Sequence, residues 1–172
     1  GEGGIRGRMT DTGDIDHGAE RSDDEVFRSI YPAMRRFAAV VAPAEMEPED
    51  LLQDAVAATL RKHRLSDLES PAAYLRTVMF NLASNFKRRR ISERKAFRWL
   101  TAASADSGES YPSDLSELMW LSPRQRAVLY LSEVEGYRFA EVAEMLGCSE
   151  PAARMSATRA RRRLRAELAG EA

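Results

Sequence analysis

The sequence is poor in the residues that support redox chemistry, metal binding and disulfide-stabilised folds. It contains one cysteine, Cys148, and two histidines, His17 and His63. One cysteine cannot form an internal disulfide, and these three residues cannot assemble a Cys/His zinc cluster. We therefore expect no metal and no cofactor, and the cysteine content fits a reducing, cytoplasmic compartment.

Long apolar runs and enzyme motifs are missing as well. No stretch of 18 apolar residues is present, and the N-terminus lacks the charged-then-apolar pattern of a signal peptide, so we expect no membrane insertion. The sequence also shows no Gly-rich phosphate loop and no nucleophile–base arrangement. We therefore predict that the protein is not an enzyme and has no catalytic residue.

Charge is balanced in total but segregated along the chain. Lys and Arg number 26 against 27 Asp and Glu, for a net charge of −1. Residues 76–98 hold eight basic side chains and one acid, whereas residues 104–120 hold four acids, five serines and no base. The first pattern indicates an anion-binding surface and the second a flexible linker.

The spacing of apolar residues is helical throughout, and no segment alternates as a strand does. We predict an all-α fold in which two small helical domains are joined by a flexible acidic linker. The N-terminal segment lacks apolar periodicity, and its GEGGIRGR ahead of Met9 looks like a vector-derived extension. The predicted divisions are a disordered leader at 1–23, helical domains at 24–99 and 121–169, and the linker at 100–120.

Three helices are predicted in the first domain. The first covers residues 24–41, where Pro32 kinks or divides it, and the second opens near Pro48. The third begins at Pro71, with Ser70 as its N-cap, and ends in the basic run at 87–90.

The second domain carries the pattern of a helix-turn-helix. A helix is predicted from Ser122-Pro123 to about Val134 and a short one at 139–146, followed by a Gly147-Cys148-Ser149 turn and a last helix at 150–168. That last helix has six arginines and no acid between Arg154 and Arg165, a density that gives strongly salt-dependent DNA affinity. The predicted DNA-binding residues are Arg154, Met155, Thr158, Arg159, Arg161 and Arg162.

Five segments of the sequence carry a family resemblance when they are taken together. The upstream half contains FRSIYPAMRRFA, EPEDLLQDAV and SPAAYLRTVMFNLASNFKRRR, and the downstream half contains LSPRQRAVLYLSEVEGYRFAEVAEMLGCS followed by RARRRLR. With these segments the chain resembles the extracytoplasmic-function group of bacterial sigma factors, members of the sigma-70 family that keep only its second and fourth regions. The resemblance covers roughly residues 24–91 and 121–168.

The resemblance implies a subunit that binds core RNA polymerase and directs it to promoters carrying −10 and −35 elements. It implies docking of Asp50, Gln53 and Asp54 on the clamp helices of the largest polymerase subunit. It further implies contact with the flap of the second-largest subunit and control by an anti-sigma factor. The linker would either thread the polymerase active-site cleft or act as a plain tether.

For the −10 element, the resemblance implies that the 65–69 loop and the third helix capture unstacked bases and contact the backbone. Asn81 is equally compatible with a hydrogen bond inside the helix bundle. The implied residues are Ser66, Asp67, Asn81, Asn85, Lys87, Arg88 and Arg89.

One departure from the family pattern concerns the start of the last helix. Pro151-Ala152-Ala153 stands where the family commonly has Gly-Thr-Val, which removes a backbone donor and a hydroxyl that could contact phosphates. Two alternatives stay open at this point. One is a helix-turn-helix regulator that binds DNA without polymerase, and the other is a decoy that docks on polymerase without recognising promoters.

Overall fold

The protein is described by a computed structural model at residues 21–100 and 117–170. The predicted leader up to residue 20 and the predicted linker from 101 to 116 lie outside these residues. The described part is helical and contains no strand, which confirms the all-α class. The helices are α1 (Asp23–Val41), α2 (Pro48–Leu60), α3 (Pro71–Leu100), α4 (Pro123–Leu129), α5 (Phe139–Leu146) and α6 (Glu150–Leu168).

The start of α1 is fixed by a capping box. The Ser22 hydroxyl accepts a hydrogen bond from the Glu25 amide at 3.2 Å, and the Glu25 carboxylate accepts one from the Ser22 amide at 3.3 Å. This exchange satisfies amides that the first helical turn cannot pair. The helix runs through Pro32 without division.

The first three helices pack into a bundle whose apolar stripes meet in the centre. Leu75 and Met79 of α3 are fully buried there. The helix itself is longer than predicted. It continues past the basic run at 87–90 to Leu100, although residues 91–98 are all exposed. The fully buried side chains of α1 and α2 in this core are Met34, Phe37, Ala38, Val41, Leu51, Leu52 and Ala55.

The helices of the second half agree with their predicted ends. Ser122 forms a capping box with Gln125 at the start of α4, and a π turn at Tyr130–Val134 completes the predicted helix. Gly147 ends α5 with φ 66° and ψ 39°, a left-handed conformation in which glycine has no Cβ to clash. Ser149 then caps α6, so the turn between α5 and α6 is as predicted.

The two halves lie against each other. Helices α1 and α3 pack on α4 and α5, and the buried apolar side chains of both halves form one continuous cluster. Residues Glu117–Trp120, at the end of the predicted linker, form a 3₁₀ turn that packs on α6. Among the described helices, none combines the length and hydropathy needed to cross a membrane.

Candidate functional site

Helix α6 is held in place by small residues on its inner face. Ala153, Ala157 and Ala160 are fully buried, and their methyl groups let α6 approach α4 and α5 closely. The Ser149 hydroxyl accepts a hydrogen bond from the Ala152 amide at 3.2 Å, so the N-terminus is capped despite Pro151. The long arginine side chains are therefore left on the outer face.

Five of the six predicted DNA-binding residues lie on this outer face and are exposed. They recur at spacings of one, three and four, which places them within one half of the helix circumference. Arg161 differs because it is half-buried at the edge of this face, where its guanidinium donates to Glu133, with an Nε–Oε1 distance of 3.1 Å. The five exposed residues are Arg154, Met155, Thr158, Arg159 and Arg162.

Arg154 is positioned by two side chains that sequence reasoning did not select. Its guanidinium donates to the Glu150 carboxylate at 2.7 Å and stands over the Phe139 ring, 4.9 Å from the centroid. The Glu150–Arg154 pair could have been found from its i, i+4 spacing. The Phe139 contact could not, because it depends on the crossing of α5 and α6.

On α2 the three residues predicted to dock on polymerase share one exposed face. Asp50, Gln53 and Asp54 are all exposed, whereas Leu51 and Leu52 between them are buried. The i, i+3 and i+4 spacing explains this separation. These three side chains are free to meet a partner helix.

Glu49 faces α1 although it lies next to Asp50 in the sequence. Its carboxylate accepts a hydrogen bond from the Tyr31 hydroxyl at 3.0 Å and lies 3.8 Å from the Arg35 guanidinium. The hydrogen bond to Glu49 raises the pKa of Tyr31 above its ordinary value. Glu49 thus ties α2 to α1.

The face on α2 continues into a shallow acidic depression that sequence reasoning missed. Asp50, Gln53 and Asp54 line it together with the residues just before the helix, Ala44, Glu45, Met46 and Glu47. The signal for it is the acidic run EMEPED at 45–50, from which sequence reasoning selected Asp50 alone as a docking residue. The depression combines carboxylates with one half-buried methionine.

The loop before α3 is tied to the start of α1. Asp23 accepts hydrogen bonds from the Ser66 amide and hydroxyl, both at 2.9 Å, and lies 3.9 Å from the Arg64 guanidinium. The backbone hydrogen bond from Ser66, more than any other contact, lowers the pKa of Asp23. Ser66 is therefore fixed as part of the loop, while Asp67 is exposed.

The predicted residues on α3 divide between two faces. Asn81, Asn85 and Arg88 are exposed and follow i, i+4, i+7 spacing, so they form one ridge, and Arg89 flanks it. Lys87 points about 120° away from Asn81 around the helix. There it lines a groove with Pro43, Arg90, Leu121 and other residues where the two halves meet.

The basic patch predicted on α3 needs one correction. Arg76 was counted in it, but its side chain is 3% exposed and is paired with Glu135 of the second half. The remaining seven basic residues between 87 and 98 are exposed. The sequence could not separate Arg76 from them, because its partners lie about sixty positions away.

Residues suited to metal binding do not cluster in the part of the chain that the structure describes. No group of three or more His, Cys, Asp or Glu side chains is placed to hold an ion there. Cys148 is a half-buried free thiol in the turn before α6 and packs against the apolar core. The site is therefore a set of surfaces: an acidic one on α2 and basic ones on α3 and α6.

Comparisons with known proteins agree with this arrangement. The family described as "Sigma-70, region 4" matches residues 117–164. The chain is 33% identical over 157 residues to the RNA polymerase sigma-E factor of Streptomyces avermitilis, covering 88% of each chain. It is also 33% identical over 162 residues to the RNA polymerase sigma factor CarQ of Myxococcus xanthus, covering 90% of this chain and 92% of CarQ.

A solved structure has the same fold. It is that of the sigma factor RpoE in complex with the anti-sigma factor NepR from Bartonella quintana, and the superposition has a TM-score of 0.67. The likeness covers 86% of this chain and 96% of RpoE at 24% identity.

Proposed function

Since the chain belongs to the extracytoplasmic-function group of sigma factors in the sigma-70 family, we propose that it binds core RNA polymerase and directs promoter-specific transcription initiation. In this role it recognises −10 and −35 DNA elements and aids promoter melting. The observation that carries the proposal is the pairing of a capped, arginine-rich helix α6 with an exposed acidic face on α2 in one chain. A helix-turn-helix regulator that acts without polymerase gives no role to that acidic face.

In the proposed complex, Asp50, Gln53 and Asp54 contact the clamp helices of the largest polymerase subunit. Their carboxylate and amide groups can accept hydrogen bonds from basic side chains on a partner helix. We add Glu45 and Glu47 to this surface because they line the same depression.

We assign the −10 element to the first half. The ridge of Asn81, Asn85 and Arg88, flanked by Arg89, offers amides for base edges and guanidinium groups for stacking or phosphate contacts. The loop residues Ser66 and Asp67 complete this surface. Ser66 still has lone pairs on its hydroxyl that can accept a hydrogen bond from a base, since it donates its proton to Asp23. Lys87 would contribute from the neighbouring face.

We assign the −35 element to α6. Arg154, Met155, Thr158 and Arg159 lie in its first half, which enters the major groove in helix-turn-helix proteins. Arg162 is placed for phosphate, and Arg161 would have to leave Glu133 to reach it. Glu150 and Phe139 set the direction of Arg154.

Further partners follow from the same role. We propose contact of the second half with the flap of the second-largest polymerase subunit and control by an anti-sigma factor, which RpoE of Bartonella quintana has in NepR. The site of action is the cytoplasm, where core polymerase transcribes. The protein performs no catalytic step itself, since the polymerase supplies the chemistry.

The docking surface can be tested by binding to purified core polymerase. We expect the double variant Gln53→Ala/Asp54→Ala to raise the Kd for core by about thirtyfold, because it leaves basic partner groups unpaired at about 2 kcal/mol. Glu144→Ala on α5 removes one exposed carboxylate, as Asp54→Ala does, and should leave Kd unchanged. Equal Kd values for the double variant and wild type would overturn the assignment.

A further inference from the structure

The loop that joins α2 and α3 pairs its backbone donors within the protein. It contains a 3₁₀ turn at Leu65–Asp67. The amides of Asp67 and Leu68 donate to the carbonyls three positions earlier, at 3.2 Å and 3.3 Å. The Ser66 amide donates to the Asp23 carboxylate of α1 at 2.9 Å. Three consecutive amides of the loop are therefore engaged before any ligand arrives.

The hydroxyl proton of Ser66 is committed as well. The hydroxyl donates to the same oxygen of Asp23, Oδ1, at 2.9 Å, and the other oxygen lies 3.9 Å from the Nε of Arg64. These contacts lower the pKa of Asp23, the backbone hydrogen bond from Ser66 most strongly and its side-chain hydrogen bond next. An ionised carboxylate has no proton to donate, so Ser66 is the donor in this pair and keeps only lone pairs for a ligand.

The surface that the loop presents is therefore made of acceptors. Ser66 is half-buried and Asp67 is exposed, so both can meet a ligand, and a carboxylate accepts as the Ser66 lone pairs do. The Leu68 side chain carries no polar group. A serine hydroxyl can ordinarily either donate or accept, and it is the contact with Asp23 that restricts this one to accepting.

The four DNA bases differ in what an unstacked base can offer to such a surface. Adenine, cytosine and guanine each carry an exocyclic amine, which supplies N–H donors. Thymine has carbonyls on both sides of its one N–H, and these would face the lone pairs of the loop. Polar groups that lose water without gaining a partner weaken binding, so an acceptor surface discriminates against thymine.

We propose that Asp23 determines base specificity: by holding the proton of Ser66, it makes the loop select an unstacked −10 base with an exocyclic amine and disfavour thymine. This selectivity rests on the −10 role proposed above for the loop. Asp23 acts through Ser66 and not on the base, so it is a positioning residue. The loop is thereby coupled to the start of α1.

The position of Asp23 is itself fixed. It is the first residue of α1, and the capping box between Ser22 and Glu25 holds the backbone on either side of it. Asparagine has nearly the same shape as aspartate but carries both a donor and an acceptor. At this position its amide can donate to the Ser66 hydroxyl, which would then be able to donate to a carbonyl of thymine.

The test measures base preference in single-stranded DNA bound by the full chain assembled with core polymerase. Non-template-strand oligonucleotides randomised across the −10 element are bound, and the bound DNA is sequenced. The position that the loop contacts is the one whose base preference changes in Ser66→Ala. At that position wild type should prefer an amine-bearing base over thymine by about tenfold or more in Kd.

Replacement of Asp23 should change this preference more than the affinity. In Asp23→Asn the preference over thymine should fall to about twofold or less, because the Ser66 hydroxyl can then donate. Asp24→Asn makes the same change at the exposed neighbour in the same helical turn and should keep the wild-type preference. A merely structural role of Asp23 would weaken binding of all four bases alike and leave their ratio unchanged.

A change on the DNA side needs no variant and covers the case in which Asp23→Asn does not fold. The preferred base is replaced by its analogue without the exocyclic amine: purine for adenine, 2-pyrimidinone for cytosine or hypoxanthine for guanine. Wild type should bind this DNA about fivefold or more weakly, because Ser66 and Asp67 lose their donor. Circular dichroism shows whether each protein variant keeps its helices.

Four results would overturn the role of Asp23. They are thymine preferred at the Ser66-dependent position, no position at which Ser66→Ala changes the preference, an Asp23→Asn variant with the wild-type preference, and an analogue bound as tightly as the preferred base. In each of these the wild type still binds core polymerase. Absence of binding to core polymerase would overturn the sigma function itself, and the selectivity with it.

Discussion

Arginine has two opposite uses in this chain, and the difference lies in burial. Arg76 and Arg126 are almost fully buried and hold the two halves together. Arg154, Arg159 and Arg162 are exposed on one face of α6. A guanidinium can do both because it stays charged and offers five directed donors. The sequence identifies each arginine, but only its contacts in the fold show whether it joins the two halves or lies exposed on α6.

Replacement of Arg159 tests the exposed use. We expect Arg159→Ala to weaken binding to a −35 duplex by about 1–3 kcal/mol, which is about 5-fold to 150-fold in Kd, because it removes a base-edge or phosphate contact. Arg28→Ala on α1 removes the same charge from an exposed position outside the site and should have little effect. Fluorescence anisotropy at fixed ionic strength measures the affinity of both variants for the duplex. Equal losses of affinity would show that binding depends on overall charge and not on a specific site on α6.

The contact between Asp23 and Ser66 predicts a pH dependence. The Ser66 hydrogen bonds lower the pKa of Asp23 below 3.8, so the folded state favours the carboxylate. The stabilisation is complete above pH 3.8 and is lost as pH falls through the lower folded value. The Ser66 amide resonance should therefore shift in acid below about pH 4. In Asp23→Asn this resonance should have a different chemical shift at neutral pH, and it should not titrate in that range. An unshifted Ser66 amide across that range would refute the contact.

At the level of elements, sequence predicted the helices that bury an apolar stripe. The end of α5 followed from Gly147 and the start of α6 from Ser149, and the periodic apolar residues of each helix gave its length. The end of α3 did not, because residues 91–98 are exposed and give no burial pattern. Ion pairs of Arg90 with Glu93 and of Arg94 with Glu45 accompany this extension, and the second joins residues 49 positions apart.

The turn of the helix-turn-helix depends on one residue, Gly147. Its φ of 66° is left-handed, so Gly147→Ala should lower the free energy of unfolding by about 1–2 kcal/mol. Gly147→Asn should cost less, because asparagine tolerates this conformation better. Thermal denaturation measures the difference, and an alanine variant as stable as wild type would contradict the assigned turn.

At the level of the whole molecule, the sequence indicated two helical units and the segregation of charge. It did not indicate how the units meet. Arg76 and Glu135 are 59 positions apart, and Arg126 and Val40 are 86 positions apart, so no local pattern links them. Arg76 therefore resembled its basic neighbours on α3 until the fold supplied its partners. The exposed faces on α2, α3 and α6 were predictable because each lies within one helix.

The central claim is that this chain gives core RNA polymerase a promoter specificity, and transcript mapping tests it most directly. Purified core polymerase is incubated with sheared genomic DNA from the host, with and without the protein, and transcript 5′ ends are sequenced. The account predicts discrete new starts that share two upstream elements near −10 and −35, and loss of those starts with Gln53→Ala/Asp54→Ala. The absence of new starts, whether or not the protein co-migrates with core polymerase, would contradict it.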